Sequence, residues 1–168
     1  VGCGRGEYTL ALASRHSERN FLGVDIKGDR ICLGARYAVE KKLTNVFFAN
    51  IQVDHLPSFL PENSISEIWI PFPDPQLGNE DGRMRLTSER FLNVYKYLVR
   101  PGSELHFKTD DLSLYEFSLK SLRSFNADIK RFEPDLHNSS INDSELTDIK
   151  TSYENRYIAD GKSIKYIH

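Results

Sequence analysis

The chain has 168 residues, 39% of them hydrophobic and 27% charged, which suits one domain (residues 1–168) with a buried core. No apolar run reaches membrane-spanning length and no signal peptide is visible; a net charge of −2 argues against a protein that coats nucleic acid with a basic surface. Cys3 and Cys32 are too few for a disulfide framework or a zinc site, and no metal-ligand spacing is present; a reducing, cytoplasmic setting fits.

The first segment is Val1-Gly2-Cys3-Gly4-Arg5-Gly6-Glu7. A glycine turn of this kind follows a buried strand, so most of the first strand is expected to lie before Val1, in an N-terminally truncated chain. Glycines here let the backbone approach a ligand and leave helix N-terminal amides free. The nicotinamide fingerprint G-x-G-x-x-G would place its third glycine at Glu7. The spacing G-x-G-x-G instead favours the S-adenosylmethionine version of the fold, in which no pyrophosphate is cradled.

Glu7 to His16 reads as a short helix and Asn20 to Ile26 as a buried strand. That strand carries Gly23-Val24-Asp25, with Asp25 placed 21 residues after Gly4. An acid at this strand end suits two ribose hydroxyls; the plainer reading is a tight turn and an exposed strand-end acid. Arg30 to Lys42 reads as helix, with Ile31, Ala35, Ala38 and Val39 on one side. Val46 to Ala49 is a third strand and Ile65 to Ile70 a fourth.

Pro71-Phe72-Pro73-Asp74-Pro75 follows that fourth strand. Three prolines in five residues restrict the backbone and remove three donors, so the run ends regular structure and holds Asp74 beside an aromatic ring at a strand end. In an open α/β sheet, ligands bind at such strand ends. Residues 83–100 then gather Arg83, Arg85, Arg90, Lys96 and Arg100 against Glu89 alone, either a solvated helix face or a phosphate-tracking one.

Thr87-Ser88-Glu89-Arg90 opens a helix in which Phe91, Tyr95 and Leu98 recur at helical spacing. Arg100 to Ser103 reads as a turn and Glu104 to Lys108 as a strand, followed by Thr109 and a second strand-end acid, Asp110. Leu112, Tyr115, Leu119 and Leu122 share one helical face. Ile129 to Phe132 and Ser163 to Ile167 are late strands. The polar stretch His137 to Lys150 reads as a mobile surface loop, long enough to suspect function. This alternation predicts an α/β fold, a mostly parallel seven-stranded sheet with helices on both faces and its first strand largely missing.

Several pieces, in order, resemble the bacterial tRNA (guanine-N7)-methyltransferase family: Val1-Gly2-Cys3-Gly4-Arg5-Gly6-Glu7, Gly23-Val24-Asp25, Phe72-Pro73-Asp74-Pro75, Arg85-Leu86-Thr87, His106-Phe107-Lys108-Thr109-Asp110, Asp135-Leu136-His137-Asn138-Ser139 and Thr151-Ser152-Tyr153-Glu154. The resemblance implies a Rossmann-like class I fold, S-adenosylmethionine as cofactor, tRNA as partner, and methylation of the variable-loop guanine at tRNA position 46. It implies a monomer or homodimer. Carried over by match, Gly2, Gly4 and Asp25 bind the cofactor, and Asp74 lies between cofactor and base as the catalytic-site acid. Asp110, Thr151, Ser152, Tyr153 and Glu154 contact the tRNA.

The chain also departs from the family. The acid before the glycine turn would precede Val1. Where an acid often follows the third strand, this chain has Asn50-Ile51-Gln52, and Asn50 is the candidate to take over at the cofactor. After F-P-D-P many members carry Trp, Lys and a basic run; here Gly78 falls on the Lys position and Glu80-Asp81 on the run, leaving Arg83 and Arg85 for phosphate. Two other readings stay open. One is an enzyme of this fold acting on another base or a small molecule, which leaves Thr151 to Glu154 unexplained. The other is a non-catalytic RNA-binding scaffold, which Glu80-Asp81 favours and the four acids Asp25, Asp74, Asp110 and Glu154 oppose.

Overall fold

The computed structural model describes residues 1–78 and 82–168, so Glu80-Asp81 lies outside the described residues. The elements run α1 (Glu7–Arg15), β1 (Phe21–Asp25), α2 (Gly28–Glu40), β2 (Val46–Asn50), β3 (Ile65–Pro71), α3 (Glu89–Leu98), β4 (Val99–Thr109), α4 (Leu112–Ser124), β5 (Phe132–Glu133), α5 (Ser144–Thr147), α6 (Ser152–Ala159) and β6 (Lys165–Ile167).

The α/β alternation stands, and the strands present are those expected of a seven-stranded sheet whose first strand is largely missing. Among the described residues there are six strands in two hydrogen-bonded sets, β1-β2 and β3-β4-β6-β5. The pairs β1–β2 and β3–β4 are parallel, whereas β6 runs antiparallel to β4 and β5. The sets are joined through the first residues: the Val1 nitrogen donates to the Trp69 carbonyl on β3, and the Cys3 amide to the Val24 carbonyl on β1.

Side chains alternate across β3, and the two faces pack differently. Ile68 and Ile70 meet Phe107, Leu114, Leu122 and the buried face of α3, which includes Phe91, Tyr95 and Leu98. Trp69 points the other way, against Tyr8 and Leu12 of α1 and Ile149. Helices therefore cover both faces. Within the first parallel pair the strands end together at Asp25 and Asn50, and within the second at Pro71 and Thr109.

Four expectations need correction. The turn at Arg100 to Ser103 is part of β4, which starts at Val99; the pairing slips between Ile65 and Glu67, so the extra residues bulge out and the ladder resumes. The stretch 137–150 is not a featureless mobile loop: it contains α5, and Leu146 and Ile149 are buried in the core. On α2 the buried positions are Ile31, Gly34 and Ala38, while Val39 is exposed, because Gly34 rather than a larger residue lets the helix approach the Arg5 carbonyl and the Phe48 ring. The strand expected over Ile129 to Phe132 is instead Phe132–Glu133, and the one expected over Ser163 to Ile167 is Lys165–Ile167.

Candidate active site

The glycine turn has the backbone that only glycine adopts easily. Gly2, Gly4 and Gly6 have φ of 64°, 54° and 72°. At Gly6 there is a second reason, since a Cβ would lie 2.6 Å from the Phe48 ring. At Gly4 a Cβ would meet nothing within 4 Å, so this backbone faces open space. Gly6 caps α1 without any side-chain bond to the first amides, leaving them available to a ligand.

Asp25 closes this end. Its carboxylate accepts the Gly4 amide at 2.7 Å and the Lys27 amide at 2.9 Å. Each oxygen keeps a lone pair for a further donor. Asn50 lies opposite Asp25 in the β1–β2 register and donates from Nδ2 to the Asp25 carbonyl at 3.1 Å, with its side chain exposed beside Gly28. Gly2, Gly4, Asp25 and Asn50 are thus brought together, and the donors and acceptors they present suit a nucleoside.

Asp74 stands exposed just past β3. Its Oδ1 accepts the Gln76 amide at 2.9 Å, a local Asx turn. Phe72 carries φ of 52°, a left-handed conformation that is costly for an aromatic residue. Its amide bonds the Lys108 carbonyl at 2.8 Å, and Arg85 Nε donates to the Pro75 carbonyl at 3.0 Å. The proline turn is therefore braced from β4 on one side and from the basic stretch on the other. Arg90 in that stretch is spent on a two-point contact with Asp54, at 2.8 and 2.9 Å. Of the basic cluster, Arg85 and Arg90 serve structural contacts in this state.

The Thr151-Ser152-Tyr153-Glu154 motif begins α6, and its four side chains have different places. Thr151 caps the helix, its Oγ1 accepting the Glu154 amide at 3.1 Å. Ser152 donates from both its amide and its hydroxyl to Glu7 Oε2, each at 3.1 Å, which fastens α6 to the helix that follows the glycine turn. Tyr153 is exposed and stacks toward Tyr157, with 6.4 Å between ring centroids. Glu154 was expected to touch substrate, but it is 0% exposed; its oxygens are taken by Lys108 Nζ at 2.7 and 2.8 Å and by His137 Nε2 at 2.9 Å. Its place is behind the tyrosines, holding the helix.

Asp110 also has a partner. Lys162 Nζ donates to its Oδ2 at 2.7 Å and sits 4.5 Å over the Tyr157 ring. The Tyr157 ring in turn lies 5.9 Å from Phe72. An aromatic series Phe72–Tyr157–Tyr153 thus runs from the proline turn along α6, with Asp74 at one end and the Asp110–Lys162 pair beside it. Sequence reasoning had not singled out Lys108, Glu7, Lys162 or Tyr157. Lys108 alone left a signal, standing inside K-T-D at a position too apolar for an unpaired charge.

Other titratable groups lie elsewhere. Glu104, His106 and His168 bring ligand-type atoms within 4.8 Å of one another. The two imidazoles stack at 4.5 Å, an arrangement in which their in-plane lone pairs run side by side rather than converging on one ion. Burial pushes the Cys3 thiol up to about 11, so it is neutral beside the glycine turn. Cavities of about 180 and 260 Å³ lie between β1 and β3 and beside His106, and neither is lined by Asp25, Asp74 or Asp110. The site is an open surface of strand ends rather than either of these cavities.

Residues 1–167 match the family described as "Putative methyltransferase". The tRNA (guanine-N(7)-)-methyltransferase of Christiangramia forsetii is 39% identical over 167 residues, covering 99% of this chain and 75% of the relative. That of Porphyromonas gingivalis is 38% identical, covering 99% and 68%. Among solved structures, the 16S rRNA methyltransferase KamB superposes with a TM-score of 0.68 at 18% identity, covering 99% of this chain and 83% of that one. A SAM-dependent methyltransferase from Aquifex aeolicus gives 0.63 at 17% identity, covering 78% and 71%. At those identities the structures establish the shared fold.

Proposed function

This chain belongs to the tRNA (guanine-N7)-methyltransferase family, and on that premise we propose that it methylates N7 of a tRNA guanine, the variable-loop base at position 46. S-adenosylmethionine supplies an electrophilic methyl group when bound. The residues present fit that cofactor: an uncapped helix start, an open Gly4 backbone, and Asp25 and Asn50 side by side at adjacent strand ends. Gly2 and Gly4 would let it approach, Asp25 would accept from its ribose hydroxyls, and Asn50 would serve its base.

Guanine N7 has a free lone pair, so the chain needs no group to remove a proton before transfer. The task of its residues is to align the base and exclude water. Transfer leaves positive charge on the guanine. Asp74, exposed at the end of β3, is placed to stabilise that charge and to accept from the guanine edge. Asp110 contributes a second carboxylate, modulated by Lys162. Tyr153 offers its exposed ring to the base, while Thr151, Ser152 and Glu154 hold the helix that carries it.

The observation that carries this reading is the bond from Ser152 to Glu7, which fastens the T-S-Y-E helix to the helix of the glycine turn and so sets substrate-side residues beside the cofactor end. No helix among the described residues is long and apolar enough to cross a membrane. The proposed tRNA substrate would make the cytoplasm the working place. The test is incubation of the full-length protein with labelled S-adenosylmethionine and bulk tRNA, followed by nucleoside analysis. Label in 7-methylguanosine at position 46 is expected; label in another nucleoside, or none, refutes the assignment.

A further inference from the structure

Resting on the methyl-transfer reading above, we propose that Lys108 is a positioning residue of the transfer site, clamping α6 so that Tyr153 and Tyr157 form the wall on which the target base lies beside Asp74. Lys108 is 1% exposed, yet it carries an ammonium into the core. That ammonium reaches both Glu154 oxygens and the Leu146 carbonyl, the last at 2.9 Å. It also lies 5.4 Å over the Tyr8 ring of α1 and 6.0 Å over the Phe72 ring of the proline turn. Through its own carbonyl it holds the Phe72 amide. One side chain on β4 therefore touches the cofactor-side helix, the turn that carries Asp74, and α6.

Stability alone is a poor reason for such a pair. Removing two charges from water is expensive, and an apolar pair of the same volume is often as stable or more so. Burial pulls the Lys108 pKa down, and the Glu154 carboxylate beside it pulls the other way. What the pair supplies is direction. Glu154 sits on the inner side of α6; one turn apart, Tyr153 is exposed while Tyr157 is half-buried, packed with Phe72 against Leu146 and Ile164. Planar rings in series accept a base by stacking. A shift of the wall of roughly 1 Å is enough to cost on the order of a hundredfold in rate.

The test compares wild-type full-length protein with Glu154→Gln, the double variant Lys108→Met/Glu154→Leu, and Tyr157→Ala. The double variant removes both charges, so no unpaired ion is left behind. Expected for it are a melting temperature within a few degrees of wild type, a dissociation constant for S-adenosylmethionine within twofold, and kcat/KM for tRNA reduced at least thirtyfold. Amide exchange across residues 152–159 should quicken at least tenfold. Glu154→Gln, which keeps shape and one hydrogen bond, should show the same changes in smaller measure and covers the case in which the double variant does not fold. Adding Tyr157→Ala to Glu154→Gln should lower kcat/KM by less than the product of the two single effects, because both act on one wall.

Wild-type kcat/KM in the folded double variant would overturn the proposal, as would a loss of cofactor affinity in step with the loss of activity. Should wild type make no 7-methylguanosine, the methyl-transfer reading fails by itself. The exchange measurement then still decides the clamp, since unchanged protection of residues 152–159 in Glu154→Gln and in the double variant overturns it.

Discussion

The Asp25 carboxylate accepts the Gly4 amide at 2.7 Å, so the end of β1 and the glycine turn are held as one piece. The same carboxylate also caps the Lys27 amide at the start of α2. Asp25→Ala should therefore loosen the turn and remove the acceptor for the ribose together. A rise of at least tenfold in the dissociation constant for S-adenosylmethionine is expected by calorimetry. Stability in urea should fall by about 1–2 kcal/mol for two lost bonds to a charged acceptor at a partly exposed site. An unchanged dissociation constant would refute the cofactor role.

The glycines of the turn should separate by cause. Gly4→Ala meets no neighbour within 4 Å and bears only the strain of φ at 54°, about 1–2 kcal/mol. Gly6→Ala bears similar strain, and its methyl would also sit 2.6 Å from the Phe48 ring, for about 1–3 kcal/mol more. Urea denaturation should rank Gly6→Ala as the more damaging. Equal losses would mean that the Phe48 contact does not constrain the turn.

Among the described residues Asp74 is exposed and bonds only its own turn, which makes it a clean probe of chemistry against folding. Asp74→Ala should lower methyl transfer to tRNA at least a hundredfold, while unfolding stability changes by about 1 kcal/mol or less. Asp74→Asn keeps the Asx turn and loses the charge. It should also be strongly impaired if charge stabilisation is the main role, and nearly normal if hydrogen-bond acceptance suffices. Full activity in Asp74→Ala would remove it from the site.

Much of this site was legible because its parts are local. The glycine spacing, the strand-end acid and the proline turn are each patterns within a few residues, and the structure sets the acid at the end of β1, the proline turn at the end of β3 and the glycines directly before α1. The roles inside Thr151 to Glu154 were not legible, because they depend on partners far along the chain: Ser152 bonds Glu7, 145 residues away, and Glu154 pairs with Lys108, 46 residues away. Local pattern also misread Arg100 to Ser103, since Pro-Gly signals a turn whether the chain reverses or merely bulges within a strand, and only the partner strand decides. The polar stretch 137–150 was read from its average composition, which hides Leu146 and Ile149, buried residues that pin it to the core.

The last prediction concerns acid. His106 stacks on Trp69 at 4.1 Å and on His168 at 4.5 Å, and its Nδ1 shares a 2.7 Å hydrogen bond with the Tyr166 hydroxyl. Burial, and then the neighbouring His168 charge, lower its pKa from the usual 6.5 to about 4, while Glu67, Glu104 and Asp143 pull weakly the other way. The unfolded chain takes up a proton near 6.5 and the fold resists until about 4, so between those values the unfolded state binds more protons. The contribution is therefore fully present above 6.5 and is lost as pH falls toward 4, on the order of 3 kcal/mol in all. His16 acts in the opposite sense: its bond to Glu145 raises its pKa, so its contribution is present below 6.5 and lost as pH rises through the raised value. The urea midpoint of the wild-type protein should drop between pH 7 and pH 5. His106→Phe keeps a ring on Trp69 without a titrating nitrogen and should show a clearly shallower drop. Equal slopes in the two proteins would mean that His106 charges freely within the fold, and that its burial between Trp69 and His168 does not hold in solution.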